Sequence, residues 1–338
     1  MIAEQLQVNQ PRTTSWIARL YQPQAMAWLL VPGSMWFLAG IYLDGWAHNH
    51  GKVDNTFFTP WHAVFYSGYL ASALTFALIV LITHLNGKIW QRDLPVSIRT
   101  GIIAAPLFAL AGIGDLWWHT TFGFETGIEP LLSPPHLALA GSMFFVVVAN
   151  ARNDNLQQSA LQRIPFILST LAGWSVVTFM LQFNHPYGII WPETVRSGDT
   201  GIMVGVVGLL VNAMLTAGVA LWMQRQRMPY GALTFVLVAN ALLVALMGDE
   251  YRFGWGALAT GVVCEFIAYA LRAQPLQLRL RVSAVLVPTG VCLAYFGVIA
   301  ATSVVIWPIH IWLGVSVLAG MAGWGLMILA PRIHMRTE

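Results

Sequence analysis

The sequence predicts an all-α polytopic membrane protein with about ten transmembrane helices. Three observations carry that prediction. First, 57% of the 338 residues are hydrophobic and only 9% are charged, with mean hydropathy +0.66. A soluble domain carries about 25% charged residues, so this chain has too few to coat a water-facing surface of its size. Second, ten apolar runs approach the ~20 residues that cross a bilayer as a helix. Third, the basic residues alternate between connections. The terminal segments and the loops after even-numbered runs hold 14 of the 17 Lys and Arg, leaving Lys52, Arg196 and Arg252 for the rest. Soluble and disordered classes are excluded. The only two cysteines, Cys264 and Cys292, lie inside apolar runs, which excludes a disulfide scaffold and a Cys-rich metal site.

The runs lie near 26–43, 61–83, 99–118, 134–151, 164–183, 201–223, 231–248, 254–272, 282–304 and 309–330. Their loops are short, so consecutive helices are expected as antiparallel neighbours. The polar stretch 1–25, with Arg12 and Arg19 ahead of the first run, reads as a cytoplasmic segment rather than a cleavable signal. An even number of crossings puts both termini on one side. The positive-inside rule makes that side cytoplasmic, in a bacterial-type inner membrane. Residues 26–151 then form a four-span unit, and residues 152–338 a further six-span bundle with a short tail.

On this topology the acids and histidines gather at the periplasmic face. Asp44, Asp54, Asp115, Glu125, Glu129, Glu193, Asp199, Asp249 and Glu250 fall at outer ends or in outer loops. So do His48, His50, His62, His119, His136, His185 and His310, with only His84 and His334 inside. Outer loops lack selection for Lys and Arg, which explains part of the acid bias but not the imidazoles.

Two segments repeat one pattern. Asp44-Gly-Trp46-Ala-His48 closes span 1, and Thr59-Pro60-Trp61-His62 opens span 2. Asp115-Leu-Trp117-Trp118-His119 closes span 3, and Ser133-Pro134-Pro135-His136 opens span 4. Spans 1–2 and 3–4 are therefore expected as a two-helix internal repeat about an axis along the membrane normal. Asp and His four residues apart share a helix face. Ser or Thr before Pro starts a helix, which places His62 and His136 in first turns. Each hairpin then aims one carboxylate and two imidazoles at a common point. Such a donor set suits copper, zinc or non-haem iron, whereas magnesium and calcium prefer oxygen. The bland alternatives are capping Asp residues, an interfacial aromatic belt, and a hydrogen-bond or proton-relay network.

The first copy, Asp44-Gly-Trp-Ala-His48 with Asp54-Asn-Thr-Phe-Phe-Thr-Pro60-Trp-His62-Ala-Val-Phe65-Tyr66, resembles the copper-site segment in the C subunit of the particulate methane and ammonia monooxygenases. That family shows an Asp-Gly-Thr-Trp-His run, then Asp-Thr-Asp-Phe-Thr-Pro-Ser-His, followed by Phe-Tyr. The resemblance implies that Asp44, His48 and His62 bind copper within the membrane. The family has a neighbouring metal position, whose counterpart falls to Asp115, His119 and His136 without a motif match. The spacing between the two histidines is one residue longer here. The match covers about 30 of the 338 residues, and spans 5–10 have no counterpart. The family's C subunit works with two partner subunits.

Further candidates surround this set. Asp54, Glu125 and Glu129 lie in the outer loops as residues that could hold the ligands' far ring nitrogens, the last two in a Gly-rich aromatic loop able to cover the site. Glu265 lies within span 8, where a carboxylate is costly and points to proton carriage, metal ligation or a partner such as Arg252. Asp249-Glu250-Tyr251-Arg252 reads as an interfacial charge cluster. No phosphate-binding loop, dinucleotide fingerprint, nucleophile elbow or nucleic-acid module appears. The expected partners are the lipid bilayer and other membrane or periplasmic subunits, with no nucleic acid. The leading function is a membrane metalloprotein holding one or two copper ions, zinc or iron being alternatives. It would be a monooxygenase-like oxidoreductase acting on a lipophilic substrate. A metal or small-solute transporter that uses Glu265, and a non-catalytic subunit of a larger complex, are the other readings.

Overall fold

A computed structural model describes residues 15–52, 59–123, 128–150, 159–193, 198–226 and 228–329. Among these, thirteen α-helices and two 3-10 turns occur, with no strand. The helices are α1 (Ser15–Leu20), α2 (Pro23–Asn49), α3 (Pro60–Leu85), α4 (Trp90–Asp93), α5 (Val96–Phe122), α6 (Glu129–Leu132) and α7 (Pro134–Val147). They continue with α8 (Ala160–Met180), α9 (Asp199–Arg225), α10 (Ala232–Leu246), α11 (Phe253–Ala270), α12 (Leu276–Thr302) and α13 (Ile309–Leu329). The chain is an all-α, multi-pass membrane protein. Eight helices are long and apolar enough to cross a membrane. Its rim of exposed aliphatic side chains, such as Leu70, Leu74 and Leu78 on α3 and Val317 and Met321 on α13, meets lipid.

Ten helices fall on the ten predicted runs, but two are shorter than expected. α7 has 14 residues and α10 has 15. At 1.5 Å per residue they rise about 21–23 Å, against a hydrocarbon core of ~30 Å. α7 stops at Val147, before the buried Asn150, whose amide donates to the Ala27 carbonyl at 2.9 Å. α10 stops before Gly248 and Asp249, and Asp249 takes a left-handed conformation at φ 59°. Apolar content extends both runs past residues that break the helix.

α2 and α3 form a close hairpin. A Cβ on Gly40 would stand 2.7 Å from Phe65 Cα, and one on Gly68 would stand 2.6 Å from Phe37 Cα. Lipid tails are as apolar as Leu, so helices in a bilayer associate through such backbone proximity and packing. Phe37 stacks on Phe65 at 5.2 Å and meets Phe108 of α5 edge-on at 4.9 Å.

α8 stands between two cores. Its Ala172, Val176 and Phe179 pack with α2, α3, α5 and α7, while Phe166, Leu171 and Trp174 pack with α9–α13. Burial agrees: 72% of its apolar window is enclosed, against 28% for the peripheral α13. Its buried hydroxyls bond rather than stay orphaned, as an apolar interior requires. The Tyr42 hydroxyl of α2 donates to the Ser175 carbonyl at 2.9 Å. Asn240 Nδ2 of α10 donates to Thr178 Oγ1 at 2.8 Å and Ser175 Oγ at 3.1 Å.

Arg252 clamps one end of the second group. Its guanidinium donates to Glu193 at 2.7 Å, to Glu250 at 2.9 Å and to the Thr302 hydroxyl at 2.9 Å, and Ser303 also bonds Glu193. The predicted charge cluster is thus an ion-pair network, and its partners for Arg252 are Glu193 and Glu250 rather than Glu265. Burial raises the pKa of Glu193, but the bonds from Arg252 and Ser303 outweigh it and hold the carboxyl below its usual value. A lowered folded-state pKa stabilises the fold above the unfolded-state value, and that contribution is lost as pH falls through the folded value. Glu193→Gln is therefore expected to lower Tm at neutral pH and to flatten the acid-side decline. Melting curves from about pH 7 to about pH 3 check this, and superimposable profiles for the two proteins would contradict it.

Candidate metal centre

The first site is assembled by the α2–α3 hairpin. Asp44 and His48 lie one turn apart near the end of α2. Pro60 opens α3, and Thr59 Oγ1 accepts the His62 N–H at 3.1 Å, capping the helix and fixing His62 in its first turn. His62 Nε2 then lies 3.4 Å from Asp44 Oδ2, and His48 Nε2 lies 3.8 Å from it. One donor atom from each of Asp44, His48 and His62 falls within 4.8 Å of the others.

The second site uses α5 and α7. His119 Nε2 stands 3.5 Å and His136 Nδ1 3.3 Å from Asp115 Oδ1. Asp115, His119 and His136 again place one donor atom each within 4.8 Å. This site is the more enclosed: the His119 and Asp115 side chains are 9% and 6% exposed, against 49% for His48.

The donor sets fit a metal ion. Each offers one carboxylate and two imidazoles at coordinating separation. Asp44 Oδ1 is buried with no hydrogen-bond partner among the described residues, an arrangement that costs free energy unless a cation satisfies it. A ligating imidazole usually has its other ring nitrogen held by a carbonyl or carboxylate. His119 Nδ1 faces the Gly123 carbonyl at 3.4 Å, and Nε2 is the ring nitrogen turned toward Asp115. Gly123 ends α5 at φ 86°, a conformation open to glycine. Ser133 Oγ lies 2.8 Å from His136 Nδ1, the same ring nitrogen that faces Asp115, and so shares that nitrogen with the triad.

The two sites are neighbours. His136 lies within electrostatic range of His48, His62 and His119, and Tyr66 within range of both Asp44 and Asp115. Tyr66 sits one turn beyond His62, and its hydroxyl lies 3.3 Å from where a Cβ on Gly112 would stand. Tyr66, Gly123 and Ser133 stand in segments the sequence singles out, but their contacts with the triads were not foreseen. The only hints were the four-residue step from His62 and the serine ahead of Pro134.

The remaining candidates stand apart. Asp54 and Glu125 lie outside the described residues. Glu129 is exposed at the start of α6 and belongs to neither group. Glu265 joins neither group. Its carboxylate accepts the Gly231, Leu233 and Thr234 N–H groups at 2.6, 3.0 and 3.1 Å, covering the start of α10. His185 is a core residue, 3% exposed, whose Nδ1 accepts the Tyr187 N–H at 3.2 Å. His50 bridges to the second group: its Nε2 lies 3.0 Å from Asp249 and its Nδ1 2.8 Å from the Trp46 carbonyl. Those bonds, Asp249 first, raise its pKa.

Fold and site together define a membrane-spanning helical protein with two Asp–His–His groups able to hold metal ions. No family model, curated protein or solved structure matches the chain.

Proposed function

We propose that the chain is a membrane metalloprotein holding copper at Asp44, His48 and His62. Asp115, His119 and His136 form a second metal position, and the protein acts as a monooxygenase-like oxidoreductase on a lipophilic substrate. The observation that carries this is the pair of like-built triads on adjacent hairpins. Imidazole and carboxylate donors suit copper, iron and zinc, and the resemblance of the first triad to the monooxygenase C subunit favours copper. A bound copper ion supplies one-electron redox chemistry and affinity for dioxygen.

The protein's own residues supply position and access. Thr59 and the Gly123 carbonyl hold His62 and His119 in place. The flank of α5 beside the second triad is open, with Leu110, Ile113, Trp117 and Phe122 59–66% exposed. A lipophilic substrate can therefore arrive from the bilayer. The site faces the periplasm in this reading, with both termini cytoplasmic. The transport alternative rests on Glu265, whose carboxylate is engaged with the start of α10.

Oxygen uptake by the copper-loaded full chain, given a lipophilic reductant, tests the proposal. Uptake above the metal-free protein is expected, and its loss in Asp44→Ala. Stoichiometric metal without uptake would remove the oxidoreductase reading and leave the metal centre.

A further inference from the structure

The second group of helices surrounds a small cavity lined by polar groups together with Leu237, Ala257 and Val291. Trp174 of α8, Asn212 and Thr216 of α9, Asn240 of α10, Thr260 of α11 and Tyr187 of the intervening connection line it. None of these six is more than 9% exposed. The cavity measures about 10 Å³, at the lower limit of the space that holds one water.

The hydrogen bonds around it can be accounted for one by one. The Thr178 hydroxyl donates to the Trp174 and Ser175 carbonyls, both at 3.2 Å, so its oxygen serves as an acceptor. This orients the Asn240 amide with its nitrogen toward α8. Both Nδ2 protons are used there, and Oδ1 is left as an acceptor on the opposite edge. The Thr216 and Thr260 hydroxyls donate to the Asn212 and Gly256 carbonyls at 2.8 and 2.9 Å, so their oxygens also retain only acceptor capacity. The Trp174 indole N–H is buried without an acceptor. The Asn212 amide and the Tyr187 hydroxyl, which can each donate or accept, complete the polar lining, and such a set of donors and acceptors matches a small molecule that both accepts and donates hydrogen bonds. Sodium and ammonium have no lone pair for the indole. Buried waters make about three such bonds to otherwise unsatisfied groups.

We infer that this cavity is a binding site for a single water, which accepts from Trp174 Nε1–H and donates to Asn240 Oδ1 and Thr260 Oγ1. It stands independently of the metal reading. Through Asn240, Thr178 and Tyr42 it extends the polar contacts of the helix that carries Asp44. It thereby links them to Asn212, beside His185 and Tyr187.

A high-resolution structure of the full chain in lipid nanodiscs, in buffer free of sodium and ammonium, tests this directly. One density peak within hydrogen-bond distance of Trp174 Nε1 and Asn240 Oδ1 is expected. A dry cavity in a map that resolves other waters would overturn the inference, as would a peak that requires either cation. Asn240→Leu endangers the fold, so Trp174→Phe and Thr260→Val serve as variants. Each removes one of the water's partners, and the double variant should lose clearly less Tm than the two single losses added. Fully additive losses would count against a shared water.

Discussion

His62→Ala is expected to empty the Asp44–His48–His62 group while the Asp115–His119–His136 group keeps its ion, and His136→Ala to do the reverse. Each group offers three protein donors, and removing one leaves a two-donor site. Loss of a residue that merely orients a ligand already costs ~10–100-fold in affinity, so loss of the ligand itself should exceed ~100-fold. The fold should survive, because Thr59 caps α3 through the backbone N–H of His62, which alanine retains. With one ion gone, repulsion between neighbouring cations is relieved, so the other should bind at least as tightly. Titration of metal-stripped protein, read by metal retained after gel filtration, measures both. Simultaneous loss of both ions in either variant would contradict two separate triads.

Glu265→Ala is expected to destabilise the protein by about 2–4 kcal/mol without changing its metal content. The first N–H groups of a helix have no intrahelical partner. At α10 they are met by a carboxylate from α11, which accepts three of them. A hydrogen bond to a charged group contributes ~1.5–3 kcal/mol, and a helix cap ~1–2 kcal/mol. The three bonds share one group and are partly exposed, so their sum is discounted. Glu265→Gln keeps the shape and loses the charge, and should fall between. Thermal unfolding in detergent measures the loss. An unchanged Tm in Glu265→Ala would return this carboxylate to the roles of proton carrier or ligand.

Much of the fold was legible because the bilayer imposes one rule, that backbone polar groups be satisfied within each span. Low charge and ten apolar runs therefore sufficed to foresee ten helices. The ends of α7 and α10 were not legible, because hydropathy extends through Asn150 and Gly248-Asp249 while the helix does not. Asp44/His48 and Asp115/His119 could be paired from sequence, since four residues is one helical turn. His62 and His136 could be added because a proline start fixes the register. Tyr66 and Gly123 could not be placed, since their roles depend on the approach of α5 and on a turn conformation. The backbone contacts of Glu265 were not legible for a related reason. Its acidic character in an apolar run is visible, but its backbone partners lie more than thirty residues away and carry no signature of their own.

The most direct test is the metal content of the detergent-purified chain, by inductively coupled plasma mass spectrometry under conditions that retain loosely held ions. Two equivalents of copper are predicted, falling to one in His62→Ala and to one in His136→Ala. A chain with no stoichiometric metal would contradict the metal centre and leave the two triads as hydrogen-bonded or proton-relay clusters.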